Sequence, residues 1–459
     1  MENINYIFLF SLFLGVTLAC LRLIIKILNK KPDWIISSIL IILSSGVILR
    51  NIYQRPRINT LTGVVDFVAK ASYSGTEVWI RVSQLTTFIF VFFCMLSLIY
   101  GLRMRESVHK RSDLYILLTG LGFYASLILS AIISSDKDFH YGLFLFPLFM
   151  ISVYLGPRQS FQNQINVIKF SLLLFIYGSL LALILNPGWA TSQYNVSVIG
   201  LDFRLSGVTA HANGLGYISA AAIMISVIDF RKKTNIINII ASLATLVLSQ
   251  SKTAWIAILI WALIMIWLRL SHKKKALSVI SIVILTAGSL ALIVLVLQGT
   301  LLQSFLSTNL STLTGRASLW QISMNVWREY PIFGYGPNLW NLSFSQQFEG
   351  QYLLVGQAHN QWIQTIASTG ILGLITLIVY LFYVIKKSTS EISYNNYLPL
   401  SLTLLLIIRM TTETPLTNTV IDEGFLAQCI MFLVILNSSK LISKDLHKNS
   451  KREVDKCIQ

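Results

Sequence analysis

Apolar stretches about 20 residues long succeed one another along the chain, at roughly 5–28, 33–52, 82–102, 114–134, 140–155, 165–186, 210–229, 234–250, 253–270, 276–297, 361–385, 396–411 and 421–438. A helix of about 20 apolar residues crosses the ~30 Å hydrocarbon core of a bilayer. Backbone polar groups in lipid must be satisfied within the protein, so only helical bundles and closed barrels span it. The alternation of a barrel strand is absent. The pattern therefore predicts an all-α polytopic membrane protein, one integral domain over residues 1–459, with 12 or 13 transmembrane helices. The first span, Tyr6 to Leu28, is too long for a signal peptide and lacks a small-residue cleavage site, so it reads as an anchor.

Polar residues are unevenly shared between the two sides of such a bundle. Three longer connections, 53–81, 187–209 and 298–360, all fall on one side. The last is the largest, and its Trp, Tyr, Phe and Gly content argues for order rather than a loose loop. Within it, "TGRASLWQISMNVWREYP" (314–331) predicts a short helix, capped by Thr314 and stopped by Pro331, with Arg316 in its first turn. Leu319, Ile322 and Val326 share one face, with Trp320, Met324 and Trp327 beside them. Such a helix lies in the membrane interface or packs on the mouth of the bundle, and both readings are open. The following "PIFGYGPN" (331–338) is turn-rich; its glycines permit close backbone approach or an anion-cradling nest.

Composition agrees with the span pattern. The chain is 54% hydrophobic and 12% charged, with mean hydropathy +0.68, whereas soluble domains carry about 25% charged residues. A net charge of +17 would suit nucleic acid, but its distribution excludes that partner. The basic clusters, Lys30-Lys31, Arg103 to Arg111, Arg231 to Lys233, Lys273 to Lys275, Lys386-Lys387 and the tail from Lys444, all fall opposite the long connections. By the positive-inside rule that side is the cytoplasm, with the C-terminus inside, the long loops outside and anionic head groups as neighbours of the basic side. Cys20, Cys94 and Cys429 lie in spans and Cys457 in the tail, so no external disulfide or metal-ligand spacing arises.

An external general base must be found among the histidines outside. His109, His272 and His447 are cytoplasmic on this topology, and His140 pairs with Asp138 in a short loop. His211 and His359 stand where long external loops enter spans. His359 precedes the helix at 361–385, whose dipole disfavours imidazolium and keeps the ring able to accept a proton. Asn360 would orient ring or substrate; the alternative is a histidine that merely caps the helix. Arg204, ahead of the 210–229 span, either snorkels or serves the site. Arg409 and Glu413, four apart and predicted on one helix face, form a structural ion pair or line the external cavity.

Four segments, "RLSGVTAHANGLG" (204–216), "SQSKTAW" (249–255), "GRASLWQISMNVWREYPIFGYGPNLW" (315–340) and "QAHNQWIQTIASTGILG" (357–373), resemble the O-antigen ligase/polymerase superfamily of bacterial membrane glycosyltransferases. The resemblance covers about 200–415 and implies a GT-C-type bundle with one large external loop holding short helices. It implies transfer of a glycan from undecaprenyl pyrophosphate to a sugar hydroxyl, on another lipid-linked glycan (polymerase) or on lipid A–core (ligase). His359, Arg316 and Arg204 take the catalytic positions. Lys252 stands where relatives carry arginine, keeping the charge but not the bidentate geometry. Gly315, Tyr335, His211, Asn360 and Glu413 are further substrate-binding candidates. No metal or cofactor is expected, since arginines neutralise the leaving group, and "DKD" at 136–138 is discounted because it lies outside, away from nucleotide sugars. Donor, acceptor and membrane lipid are the implied partners, with a chain-length regulator and a flippase as candidates. A polymerase is the expectation, a ligase the alternative. A glycan transporter is disfavoured because polar residues gather at the external mouth, about 200–360, and the spans read as mostly uninterrupted.

Overall fold

The computed structural model describes residues 34–54, 75–104, 111–133, 140–157, 161–194, 197, 199–228, 232–270, 311–337, 339–340, 357–390, 392, 397–416 and 420–437. The predicted spans 5–28 and 276–297 lie outside these residues, as do "DKD" and His109, His272 and His447. The chain is an all-α polytopic membrane protein. Its helices are α1 (Trp34–Gln54), α2 (Gly75–Met104), α3 (Arg111–Ile133), α4 (Leu145–Leu155), α5 (Phe161–Leu185), α6 (Ala212–Val227), α7 (Lys233–Leu248), α8 (Lys252–Leu270), α9 (Ser311–Glu329), α10 (Gln361–Ser390), α11 (Leu398–Met410) and α12 (Glu423–Asn437). All but α9 match predicted spans. Among the described residues five helices, α1, α2, α3, α5 and α10, are long and apolar enough to cross a membrane, and six shorter apolar ones accompany them.

Local chemistry sets the ends. Asn360 caps α10 by accepting from Trp362 N (3.0 Å) and Ile363 N (3.2 Å), and Asp422 caps α12 by accepting from Phe425 N (2.8 Å). Proline in the first turn of α11 costs no helical bond there. The core is aromatic where α2, α4 and α12 meet: Phe90, Phe146, Phe149, Phe425 and Phe432 are all within 1% of full burial and contact one another edge-on or stacked. A Cβ on Gly120 of α3 would strike Met150 and Tyr380, so a small residue is what lets α10 approach α3.

Between α5 and α6 the chain makes one helical turn (Pro187–Ala190) and a two-stranded ribbon, β1 (Thr191–Gln193) antiparallel to β2 (Phe203–Leu205), with Ser192 opposite Arg204. The ribbon sits at the end of the bundle where α6, α8, α10 and α12 begin and α5, α7 and α11 finish. At the other end of α10, Lys387 forms a buried ion pair with Asp113 at the start of α3. Among the described residues the ribbon and the start of α10 thus lie at one end of the bundle and Lys387 at the other.

Two expectations are corrected. Helix α9 starts at Ser311, so Thr314 lies inside it and is not its cap. Helix α10 is not uninterrupted: Gly370 adopts φ 64°, ψ −162°, a conformation closed to other residues, and breaks it. "PIFGYG" fills the break. Tyr335 N donates to Ala367 O (3.0 Å), Gly336 N to Ser368 O (2.9 Å) and Ile371 N to Pro331 O (2.9 Å). The loop therefore makes the close backbone approach; with these amides committed, it is not an anion nest. Lipid could not satisfy the groups freed by the break, and the loop does.

Candidate functional site

The ribbon end gathers side chains from four separate stretches into one hydrogen-bonded line. Arg204, on β2, donates through Nε to Ser249 O (2.9 Å) and through Nη2 to Asn213 Oδ1 (2.6 Å), with its guanidinium 4.7 Å over the Tyr194 ring. Asn213, in the first turn of α6, donates to Glu413 Oε1 (2.9 Å). Glu413 Oε2 accepts from Gln357 Nε2 (2.9 Å) and faces His359 Nδ1 at 3.3 Å. Gln357 is fixed in turn by Thr414, whose backbone N–H and hydroxyl both donate to its carbonyl.

The carboxylate orients the imidazole. With Nδ1–H donating to Glu413, the tautomer leaves Nε2 as the acceptor nitrogen. His359 is two residues ahead of α10, in the left-handed region at φ 50°, and its side chain is about a third exposed, against 12% for Glu413. Its backbone is clamped by the neighbouring Ala358, whose N–H donates to Gln364 Oε1 (2.8 Å) and whose carbonyl accepts from Trp320 Nε1 (2.8 Å). Trp320 belongs to α9, whose Leu319, Ser323 and Val326 are buried, with the apolar pair packed beside Ile363 and Ala367 of α10. The helix of the large loop therefore packs on the bundle and pins the histidine.

Burial alone would raise the Glu413 carboxyl. The hydrogen bond and charge of His359, then Asn213 and Arg409, outweigh it and hold the group at about 2, down from an ordinary 4.5. A carboxyl held low adds stability above pH 4.5 and loses it as pH falls toward 2. The melting-temperature difference between the native chain and Glu413→Gln should therefore shrink across that window, and a difference flat with pH would contradict the pairing.

The predicted site residues divide. Arg204, Glu413 and His359 come together. Asn360 instead caps α10, with Nδ2 3.4 Å from Thr411 O, so it orients the helix rather than the ring. Glu413 does not ion-pair with Arg409: α11 ends at Met410, Glu413 falls in the next turn, and the Arg409 guanidinium lies 5.1 Å over the Tyr217 ring. Arg409 Nε is buried with no hydrogen-bond partner among the described residues. Lys252 is exposed at the start of α8, three residues from the Ser249 carbonyl that holds Arg204. His211 is exposed at the start of α6 and makes no capping bond. Tyr335 packs on Tyr330 in the α9–α10 seam. Gly315 and Arg316 are in the second turn of α9; their side chains lie outside the described part. Asn213 and Gln357 were missed, though a polar residue opening an apolar span was the available signal for Asn213.

The family model described as O-antigen ligase matches residues 237–378, about a third of the chain. The matched segment runs from α7 through the break in α10 and takes in Lys252, Arg316 and His359. Over that segment the chain is similar to the O-antigen ligase family. Among curated proteins none matches it. Arg204, Asn213 and Glu413 lie outside the matched segment yet join His359 within it, so the O-antigen ligase domain does not hold the whole cluster.

Proposed function

We propose that the chain polymerises undecaprenyl-pyrophosphate-linked repeat units on the outer face of the bacterial cytoplasmic membrane. The observation that best supports this is the Glu413–His359 pair joined to Arg204 at the end of the bundle opposite Lys387, in a chain whose residues 237–378 match the O-antigen ligase family model. The acceptor hydroxyl loses its proton to His359 Nε2 as its oxygen attacks the anomeric carbon. The bond from that carbon to the pyrophosphate oxygen breaks, and the undecaprenyl pyrophosphate departs with the electron pair. A single displacement of this kind inverts the anomeric centre. Glu413 stabilises the imidazolium as it forms. Arg204 and Arg316, with Lys252, neutralise the departing charge. Arg409 joins them, held on Tyr217 rather than spent on a carboxylate.

A ligase would use the same groups with lipid A–core as acceptor. Purified protein given lipid-linked repeat unit alone should yield a ladder of lengthening products. Product formed only after lipid A–core is added would overturn the polymerase reading. In the same assay Arg204→Ala and Arg316→Ala should lose most activity, and His211→Ala much less. A transporter gains nothing from the break in α10, because the protein's own loop occupies the groups that a half-helix site would offer to a substrate.

A further inference from the structure

Asn213 occupies the second position of α6, two residues past the N-cap His211. An asparagine at a helix start ordinarily spends its side-chain oxygen on the first free amides of that helix. This one spends it elsewhere. Its oxygen accepts from Arg204 Nη2 (2.6 Å) and its nitrogen donates to Glu413 Oε1 (2.9 Å). The partners dictate which way the amide faces, because a guanidinium only donates and a carboxylate only accepts. A carboxylate at 213 would lack the donor, and an alanine would lack both functions. A hydroxyl has both, but on a single atom.

The two partners are each held from their far side. Arg204 Nε donates to Ser249 O (2.9 Å), just past the end of α7. Glu413 Oε2 accepts from Gln357 and faces His359 Nδ1 at 3.3 Å. Asn213 closes the line between these halves, so β2, the start of α6 and the turn after α11 are held in one register. We propose that Asn213 is a positioning residue that fixes the spacing between the leaving-group cation, Arg204, and the Glu413–His359 base. This rests on the catalytic roles proposed above for Arg204 and His359, and it adds a requirement: the group at 213 must donate to Glu413 as well as accept from Arg204.

Asn213→Asp separates the two demands, since it keeps the size and the acceptor but loses the donor. The introduced carboxyl would stand against Glu413, with Arg204, Arg409 and His359 around the pair and Glu423 of α12 beside neighbouring Gly214. Two carboxyls in contact share a proton well above the ordinary carboxyl range. Once protonated, the introduced group has the amide's pattern, with its carbonyl toward Arg204 and its O–H toward Glu413.

The test uses the purified full chain and lipid-linked repeat unit, with melting temperatures to check folding. At about pH 8, kcat of Asn213→Asp should be roughly 10–100-fold below native, as for a lost hydrogen bond to a charged group, with KM little changed. The ratio of the two rates should climb toward one as pH falls to about 5.5, the titration of His359 entering both. Asn213→Ala should be slowed at least as much, at a ratio that does not move with pH. If Asn213→Asp does not fold, Asn213→Ala carries the comparison. Its penalty should then be smaller in a Glu413→Gln chain than in the native one, whereas a merely structural residue gives additive losses. A native rate in Asn213→Asp, a deficit flat with pH, or additive losses would overturn the assignment. Any of these beside an inactive His359→Asn chain would leave the base in place. A native rate in His359→Asn would instead remove the base, and with it the role of Asn213.

Discussion

A His359→Asn chain, present at native level in the membrane, should form glycan product roughly 10²–10⁴-fold more slowly than the native chain, the usual contribution of a general base. Asparagine is the better replacement than alanine. The residue holds φ 50°, and asparagine enters the left-handed region more readily than other side chains. It can also donate a hydrogen bond toward Glu413, so the carboxylate keeps a partner, yet it cannot take a proton from a hydroxyl. Loss of rate then reports on chemistry rather than on a collapsed turn. Initial rates with lipid-linked repeat unit, normalised to protein extracted from the membrane, make the measurement. Native rate in the asparagine chain would remove His359 from the mechanism. Glu413→Gln should fall between the two, since it keeps a polar partner for Nδ1 but withdraws the charge that stabilises imidazolium. If instead it matched the native rate, the dyad would be structural only.

The span pattern was legible because hydrophobic period and length are local properties, and every predicted span among the described residues has its helix. The pairing of the ends was legible too, through charge: alternating topology brings Arg204 and His359 to one side without any knowledge of contacts. What escaped was whatever depends on partners far along the chain. Asn213 reads locally as one polar residue among Ala and Gly, but it bridges Arg204, nine residues back, to Glu413, 200 residues on. Of the two readings open for Arg409 and Glu413, the ion pair fails because the Arg409 guanidinium lies over the Tyr217 ring, which the sequence spacing does not reveal. The dipole argument at the start of α10 was incomplete, since it omitted the carboxylate that α11's following turn delivers to Nδ1. Gly370 was the hardest. A glycine in an apolar run is ordinarily tolerated within a helix, and only the docking of residues 331–336 reveals that the helix stops and restarts there.

That junction should tolerate substitution poorly. At Gly370 a Cβ would stand 2.3 Å from Ile332 O, 2.4 Å from Ile332 C and 2.7 Å from Phe333 N, all backbone atoms that no rotamer change can move aside. The conformation itself costs any other residue on the order of 1–3 kcal/mol, and the steric shift adds a further ~1–3 kcal/mol. Gly334, at φ 73° with Ser368 and Thr369 backbone at 2.3–2.4 Å, is the reciprocal contact. Gly370→Ala should therefore lower stability by roughly 2–6 kcal/mol. It should also cost activity, because the first ten residues of α10 carry the clamp on Ala358 and with it the position of His359. Gly122→Ala in α3 is the matched control, since its added methyl meets nothing within 4 Å. Thermal unfolding of the two purified variants decides the matter: a large drop for Gly370→Ala beside little change for Gly122→Ala is the expected result. Equal melting temperatures would mean that the loop does not lock the break, and that α10 can close into a continuous helix without it.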